Sequence, residues 1–268
     1  MQYNTYIEYC KEKKFKICLD RINFIVYHKH TTMIRVSVLE MFAMLVLSQR
    51  ELEAISQRVL KAYWKQEASG LTPCRVNPEV LLKDLLGLQL EYRCLSEDGL
   101  TLGMTAFERE SIVLPQGEFE FDGKTVLVDS SFRSALANEG RRNFTIVHEG
   151  VHHILRMLYP RAYACGMRKR VVVCRAANSG DPEERQIDAL TALLLMPEDL
   201  LRQNLAEAGL PGGIDILAYA FGDEYLRFDS VRKRMGVSRQ ALAMRMQKLG
   251  LLGKNSLELP EIRCPGSW

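Results

Sequence analysis

Three of the chain's five histidines fall within one short run, His148-Glu149-Gly150-Val151-His152-His153. In an α-helix, residues four positions apart lie on the same face, one turn from each other. His148 and His152 would therefore present two imidazole nitrogens to one zinc ion, and Glu149 beside them would act as a general base. The pattern predicts a hydrolytic zinc site. A lone histidine in such a helix is more often an ordinary, partly buried polar group.

A catalytic zinc site needs a third protein ligand and keeps one position open for water. Residues 181–184, Asp-Pro-Glu-Glu, have the composition of a helix start, with an aspartate N-cap followed by proline. Glu184 and Glu183 are the two candidate ligands. Glu184 is favoured because it lies one turn before Asp188 on the same helix face. Asp188 would accept a hydrogen bond from the non-ligating nitrogen of a zinc-bound histidine.

The expected reaction is the hydrolysis of a peptide bond. Zinc is the expected metal, and manganese is an alternative because both accept nitrogen and oxygen ligands. Glu149 would take a proton from the attacking water and return it to the leaving amine. A hydrogen-bond donor to the developing oxyanion is also needed. Tyr159 and Tyr163, which follow the histidine run, are the candidates for this donor.

Two helices must position these side chains. The first is amphipathic, with apolar residues at three- and four-residue steps, and Pro160 ends its pattern. Its apolar positions are Phe144, Val147, Val151, Ile154, Leu155 and Leu158. The second helix begins at residues 181–184 and runs to Met196-Pro197. The metal-binding face of the first helix would lie at the edge of the core, partly shielded from water.

Three segments together resemble the ImmA/IrrE family of metallopeptidases. Residues 142–152 contain Phe-Thr-x-x-His-Glu-x-x-His, residues 184–197 contain Glu-x-x-x-Asp and then Leu-Leu-Met-Pro, and residues 236–251 contain Val-Ser-x-x-Ala-Leu. The resemblance covers roughly residues 48 to 255. Three positions depart from the family pattern without removing a catalytic group. Gly150-Val151 replaces Leu-Gly, Asp188 replaces Asn, and Leu190 replaces Phe.

This resemblance implies a function that the residues alone do not give. It assigns His148, His152 and Glu184 to zinc and Glu149 to water activation. The implied activity is that of an intracellular endopeptidase that cuts a helix-turn-helix repressor and so derepresses a mobile element or a stress response. The alternative is a non-catalytic regulator that binds DNA or protein and whose metal is structural.

The rest of the chain predicts an α+β fold. Ser48 and Glu51 form a capping box that opens a helix to about residue 66. Strand-like runs lie at residues 89–94, 102–107, 111–114, 125–128 and 171–174. They predict a zincin-like arrangement, in which a small mixed sheet packs on the metal-binding helix. An edge strand of that sheet would bind the substrate as one more strand.

The chain divides by its composition into three regions. Residues 1–45 alternate aromatic and basic side chains and lie outside the resemblance, residues 46–200 form the zincin-like domain, and residues 201–268 form a helical module. Ser238 would cap the second helix of a turn centred on Gly236, which makes the module helix-turn-helix-like. Its basic side chains would form a surface that docks a protein or nucleic-acid phosphates, although a solvated helix face has the same composition. The residues of this surface are Arg232, Lys233, Arg234, Arg239 and Arg245.

Composition agrees with a soluble, cytoplasmic protein. The 268 residues carry a formal net charge of +3, which favours no particular class of partner. The seven cysteines are odd in number and include no Cys-x-x-Cys pair, as is typical of free thiols in a reducing compartment. No apolar run has the length of a membrane span, and the N-terminal segment lacks the features of a signal peptide.

Overall fold

The structure, a computed structural model, describes residues 47–66, 74–134, 138–160, 171–175, 181–214 and 223–253. It also describes the backbone of three strands nearer the N-terminus, β1 (Lys16–Leu19), β2 (Asn23–Tyr27) and β3 (Met33–Ser37). These strands pair antiparallel in chain order, with Val26 opposite Ile17 on one side and Ile34 on the other. They belong to a unit distinct from the one that contains residues 47–159.

The second unit contains all the helices described below and a small sheet, most of whose strands follow one another between α2 and α3. The helices are α1 (Gln49–Gln66), α2 (Pro78–Val80, continued by a π-helical turn at Leu81–Leu85), α3 (Glu139–Leu158), α4 (Pro182–Leu195), α5 (Glu198–Glu207), α6 (Asp223–Met235) and α7 (Arg239–Lys248). None of the helices in the described part of the chain has the length and apolar character needed to cross a bilayer. The division predicted between residues 200 and 201 falls inside α5, and the predicted domain boundaries stay a prediction.

The sheet of this unit is small and mixed, as predicted. Its strands are β4 (Gln89–Arg93), β5 (Thr101–Ala106), β8 (Thr125–Asp129) and β9 (Val171–Arg175), and β6 (Arg109–Leu114) pairs with β7 (Gly117–Asp122) in a separate hairpin. The order in the sheet is β4-β8-β5-β9. β4 and β8 run parallel, whereas β5 is antiparallel to both of its neighbours. The α+β class is therefore confirmed.

Strand β7 was not predicted from the sequence. Its residues, Gly-Glu-Phe-Glu-Phe-Asp, are mostly of types that disfavour strands. Pairing with β6 along the whole hairpin stabilises it, and Phe121 is buried against Leu114 and Leu127 in a small apolar cluster. The strand therefore depends on its partner rather than on its own propensity.

Helix α3 forms as its apolar spacing predicts. Asn138 caps it by accepting a hydrogen bond from the backbone N–H of Arg141. One face packs on the sheet, where Ile146 joins a buried cluster with Leu102 and Val126. The opposite side contacts α4, so the helix lies between the sheet and α4 with most of its middle residues buried.

The turn between α6 and α7 docks on the first turns of α3. Gly236 occupies this turn with φ +64°, and its carbonyl oxygen accepts a 2.8 Å hydrogen bond from the buried Asn143 amide. The backbone of Val237 and Ser238 lies so close to Gly140 that a Cβ there would be 2.3 Å from the Ser238 nitrogen. The predicted cap is present, since the Ser238 hydroxyl accepts from the Ala241 N–H. The C-terminal helices therefore hold α3 in place.

Replacing Gly140 with Ala is expected to lower the free energy of unfolding by about 1–3 kcal/mol, because the added methyl group overlaps backbone that has no room to move. Alanine would ordinarily stabilise a helix by about 0.5–1 kcal/mol relative to glycine, so the predicted sign is opposite to helix propensity. Urea unfolding measures the difference. Gly212→Ala, at an exposed position with open space around it, is the control and should leave stability nearly unchanged.

Candidate metal centre

The predicted ligands come together where α3 and α4 pack against each other. His148 and His152 are buried on α3, and Glu184 lies in the first turns of α4. The His148 Nε2 is 3.1 Å from one carboxylate oxygen of Glu184, and the His152 Nε2 is 3.8 Å from the other. The ligand atoms of all three residues lie within 4.8 Å of one another. Two segments that are remote in sequence thus form one cluster.

The cluster fits a divalent cation such as zinc. Zinc bonds of about 2.0–2.2 Å in a tetrahedral arrangement place neighbouring ligand atoms about 3.3–3.6 Å apart. The two distances from Glu184, 3.1 and 3.8 Å, lie just outside the two ends of that range. Two imidazoles and one carboxylate are also a donor set of catalytic zinc sites. In the described part of the chain, Glu184 rather than Glu183 joins the histidines.

Asp188 lies where a partner of a metal-bound imidazole should be. Its Oδ1 is 3.0 Å from the His148 Nδ1, so the Nε2 of that ring is directed toward Glu184. Burial lowers the pKa of His148, but hydrogen bonds to Asp188, Cys174 and Glu184 raise it well above its usual range. The arrangement holds one ring nitrogen by a carboxylate and leaves the other for a cation.

Glu149 is enclosed beneath the sheet. Its side chain has no exposed surface, and neither carboxylate oxygen has a hydrogen-bond partner among the described residues. Gly103 of β5 lies directly against it, because a Cβ on Gly103 would be 2.6 Å from Glu149 Oε1. Burial raises the pKa of Glu149 from 4.5 to about 8, with the His148 charge opposing the shift. A buried, unpartnered carboxylate is costly in a folded protein unless a cation or a proton compensates it.

Glu149→Gln is expected to stabilise the metal-free protein at alkaline pH. Between about pH 4.5 and about pH 8 the carboxyl group ionises in the unfolded chain but stays protonated in the folded one. The free energy of unfolding therefore falls as the pH rises through this window. Wild type should lose about 1.4 kcal/mol of stability per pH unit in that window relative to the variant. Urea unfolding at pH 5, 6.5 and 8 measures the difference. Equal pH dependence of wild type and variant would contradict it, and Glu120→Gln, at an exposed position on β7, is the control.

Cys174 is a member of the site that the sequence did not indicate. It lies on β9, directly opposite Gly103 of β5. Its sulfur is within 4.8 Å of a ligand atom of His148 and of a carboxylate oxygen of Glu149. Spacing along the chain gave no signal for it, since no second cysteine or histidine follows at a metal-binding interval. The strand itself was predicted, and only its pairing with β5 brings the thiol to the site.

The third histidine of the run has a different role. His153 lies on the sheet side of α3, where its Nε2 is 2.7 Å from the Thr105 hydroxyl and its ring packs edge-on against Phe107. Burial, together with the nearby Arg156 charge, lowers the pKa of His153 to about 4. The neutral imidazole therefore links α3 to β5 through its hydrogen bond with Thr105.

The oxyanion candidates do not lie together in the described site. Tyr159 is the C-cap residue of α3, seven residues beyond His152, which is roughly 10 Å along the helix axis. Tyr163 falls outside the described residues. Their proposed role therefore stays a prediction.

Most of the predicted basic surface is paired within the chain. Asp229, the acid of this region, forms ion pairs with three basic side chains. They are Arg232 at 2.7 Å, Lys233 at 3.0 Å and Arg239 at 3.2 Å. These partners, Arg232 first, hold the pKa of the Asp229 carboxyl well below its usual range. A single carboxylate thus contacts three of the basic side chains counted in the sequence, although it offsets only one unit of their charge.

The other two basic residues of that surface also have internal partners. Arg234 pairs with Glu207 of α5, and the largely buried Arg245 donates a 3.1 Å hydrogen bond to the Met196 carbonyl at the end of α4. Binding to nucleic acid depends on Lys and Arg side chains that neutralise phosphates and so release the counterions condensed on the strand. These contacts favour a structural role for the C-terminal helices, and the binding of DNA or protein by this surface stays a prediction.

Comparisons with known proteins identify no family. No protein-family model matches the chain, and no curated protein matches its sequence. The functional interpretation therefore rests on the residues and their geometry, and the resemblance to ImmA/IrrE metallopeptidases stays a prediction.

Proposed function

We propose that this protein is a zinc-dependent endopeptidase of the ImmA/IrrE type, with a zincin-like arrangement of sheet and metal-binding helix. His148, His152 and Glu184 would hold the metal, and Glu149 would be the general base. The substrate proposed from the resemblance is a helix-turn-helix repressor, and the C-terminal helices would form the helix-turn-helix-like module. Manganese is the alternative metal.

One observation carries this proposal. The carboxylate of Glu184 lies 3.1 and 3.8 Å from the two imidazole nitrogens, while Asp188 holds the second nitrogen of His148 at 3.0 Å. Chance packing of two helices would rarely place two carboxylates, those of Glu184 and Asp188, against the two nitrogens of one imidazole, that of His148. Catalytic zinc sites combine these two features.

The reaction would divide between the metal and the chain. When bound, zinc supplies Lewis-acid activation of a water molecule and of the scissile carbonyl. Glu149 would take the proton of the water and deliver it to the leaving amine. Asp188 keeps His148 in a single tautomer and orientation. An edge strand of the sheet would bind the peptide backbone as one more strand.

The test combines metal content with cleavage. We expect the purified full-length chain to contain about one zinc per molecule, measured by elemental analysis. We also expect it to cut members of a proteome-derived peptide library and helix-turn-helix repressors from the source genome. Removal of zinc with a chelator should stop cleavage, and added zinc should restore it. A chain that binds no divalent metal at the expected stoichiometry would contradict the proposal.

A non-catalytic regulator with a structural metal is the second candidate. The burial of His148, Glu149 and His152, each at most 2 % exposed, favours it, because structural metal sites are closed to solvent. The two candidates differ in one result. A structural site would bind zinc and stabilise the fold without any cleavage.

A further inference from the structure

A cleft opens at the start of α3 and shares no residue with the candidate metal centre. Its volume is about 550 Å³, within the range of about 300–1,000 Å³ that is typical of small-molecule binding sites. Glu79 of α2, Tyr92 of β4, Arg133 of the turn after β8, and Glu139 and Arg142 of α3 line it. Arg142 lies six residues before the first predicted metal ligand, which is roughly 9 Å along the helix axis.

The two acids of the cleft are paired with cations that do not line it. Glu139 forms an ion pair with Arg75 at 2.7 Å, and Glu79 forms one with Lys83 at 3.4 Å. Neither of these two cations belongs to the lining of the cleft. The charge of each carboxylate is therefore already offset, and what remains in the cleft is the positive charge of its arginines.

The two arginines of the cleft have no acidic partner within the residue ranges that the structure describes. Arg142 donates a long hydrogen bond of 3.4 Å to Asn143, and its Nε is buried without an acceptor among those residues. Arg133 stacks over the ring of Tyr92, 5.3 Å from the ring centroid. A buried guanidinium nitrogen that lacks an acceptor is costly, so an anionic acceptor is expected beside it.

The phenol of Tyr92 lies where these charges converge. Burial raises its pKa, Arg142 lowers it, Glu79 raises it and Arg133 lowers it. Side chains from three different elements therefore act on one hydroxyl group in the wall of the cleft. A neutral phenol can donate a hydrogen bond to an anion held by the arginines.

We propose that this cleft binds a phosphomonoester of a small, hydroxyl-rich molecule, such as a nucleotide or a sugar phosphate. The phosphate group carries a charge of about −1.5 to −2 at pH 7, which matches the two guanidinium groups of Arg133 and Arg142. The planar forks of these side chains fit the phosphate oxygens. The hydroxyl groups of the ligand donate to the carboxylates of Glu79 and Glu139, which only accept. The volume leaves room for the rest of such a molecule.

Calorimetry on the full-length protein tests the ligand class with adenosine monophosphate, glucose 6-phosphate and inorganic phosphate. Adenosine and glucose are the uncharged controls. We expect one of the two phosphomonoesters to bind at least about tenfold more tightly than inorganic phosphate, because hydrogen bonds to its hydroxyl groups are added. We expect no binding of adenosine or glucose. The tighter of the two phosphomonoesters shows whether a nucleotide or a sugar phosphate fits. If neither exceeds inorganic phosphate, the proposal is wrong.

Substitutions test whether the phosphate lies in the cleft. Arg133→Gln and Arg142→Gln should each weaken binding of the tighter phosphomonoester by about tenfold or more, because each removes charge-assisted hydrogen bonds. Arg141→Gln, at an exposed position of α3 outside the cleft, is the matched control and should bind as wild type does. Arg133 is exposed, so its variant is expected to fold, and urea unfolding without ligand checks this. Unchanged binding in Arg133→Gln would overturn the assignment.

A further variant separates this cleft from the candidate metal centre. Glu184→Ala, which lacks a proposed metal ligand, should bind the phosphomonoester with the affinity of wild type. Binding that is lost in Glu184→Ala and kept in Arg133→Gln would place the phosphate on the metal and would overturn the proposal. A chain that binds no zinc but binds the phosphomonoester through Arg133 would contradict the proposed function alone.

Discussion

Glu149→Gln is expected to reduce peptide cleavage by about 10²–10⁴-fold while leaving zinc content unchanged. The amide keeps the size of the side chain, and its position beneath Gly103 is retained. It cannot accept the water proton, and the loss should therefore fall on the rate of the chemical step rather than on metal binding. Initial rates on one library peptide that wild type cleaves, measured beside elemental analysis, give both quantities.

Circular dichroism and unfolding in the presence of zinc check that the variant is folded. Cleavage that persists in Glu149→Gln at the wild-type rate, with zinc still bound, would end the assignment of Glu149 as general base and with it the proposed mechanism.

Glu184→Ala is expected to weaken zinc binding by more than about 100-fold, beyond the 10–100-fold that loss of a supporting residue costs. Its carboxylate is the group that spans both imidazole nitrogens, so its removal leaves only two histidine ligands. Competition with a chromogenic zinc chelator measures the affinity. Asp188→Ala, which removes the partner of His148 but no ligand, should fall in the 10–100-fold range.

Glu183→Ala is the matched control for this experiment. Glu183 neighbours Glu184 in the first turn of α4, carries the same charge, and was the competing ligand in the sequence. Its removal should leave zinc affinity close to that of wild type. If Glu183→Ala loses zinc and Glu184→Ala does not, the two residues exchange roles. If neither does, the carboxylate ligand lies elsewhere and the proposed coordination is wrong.

The candidate site was predictable where its geometry is local. His148, Glu149 and His152 lie within five positions of one helix, and the helix repeat alone fixes how their side chains are spaced. Helix starts were predictable for the same reason, since Asp181 and Ser238 accept hydrogen bonds from backbone N–H groups two and three residues later. The α+β class followed from the run of strand-like segments that precedes the histidine-bearing helix, whereas β7 depended on a partner strand.

Tertiary structure alone decided how remote segments meet. The contact of Asp188 with His148 joins residues 40 positions apart, and Cys174 reaches the site only because β9 pairs with β5. The ion pairs of the basic C-terminal residues likewise could not be predicted, since a count of charges does not show that Asp229 contacts three of them. Sequence by itself determined which chemistry the α3 helix carries, because hydrogen bonds within one segment set that geometry. Packing between segments decided what surrounds it, because burial, ion pairing and strand order are properties of the folded chain.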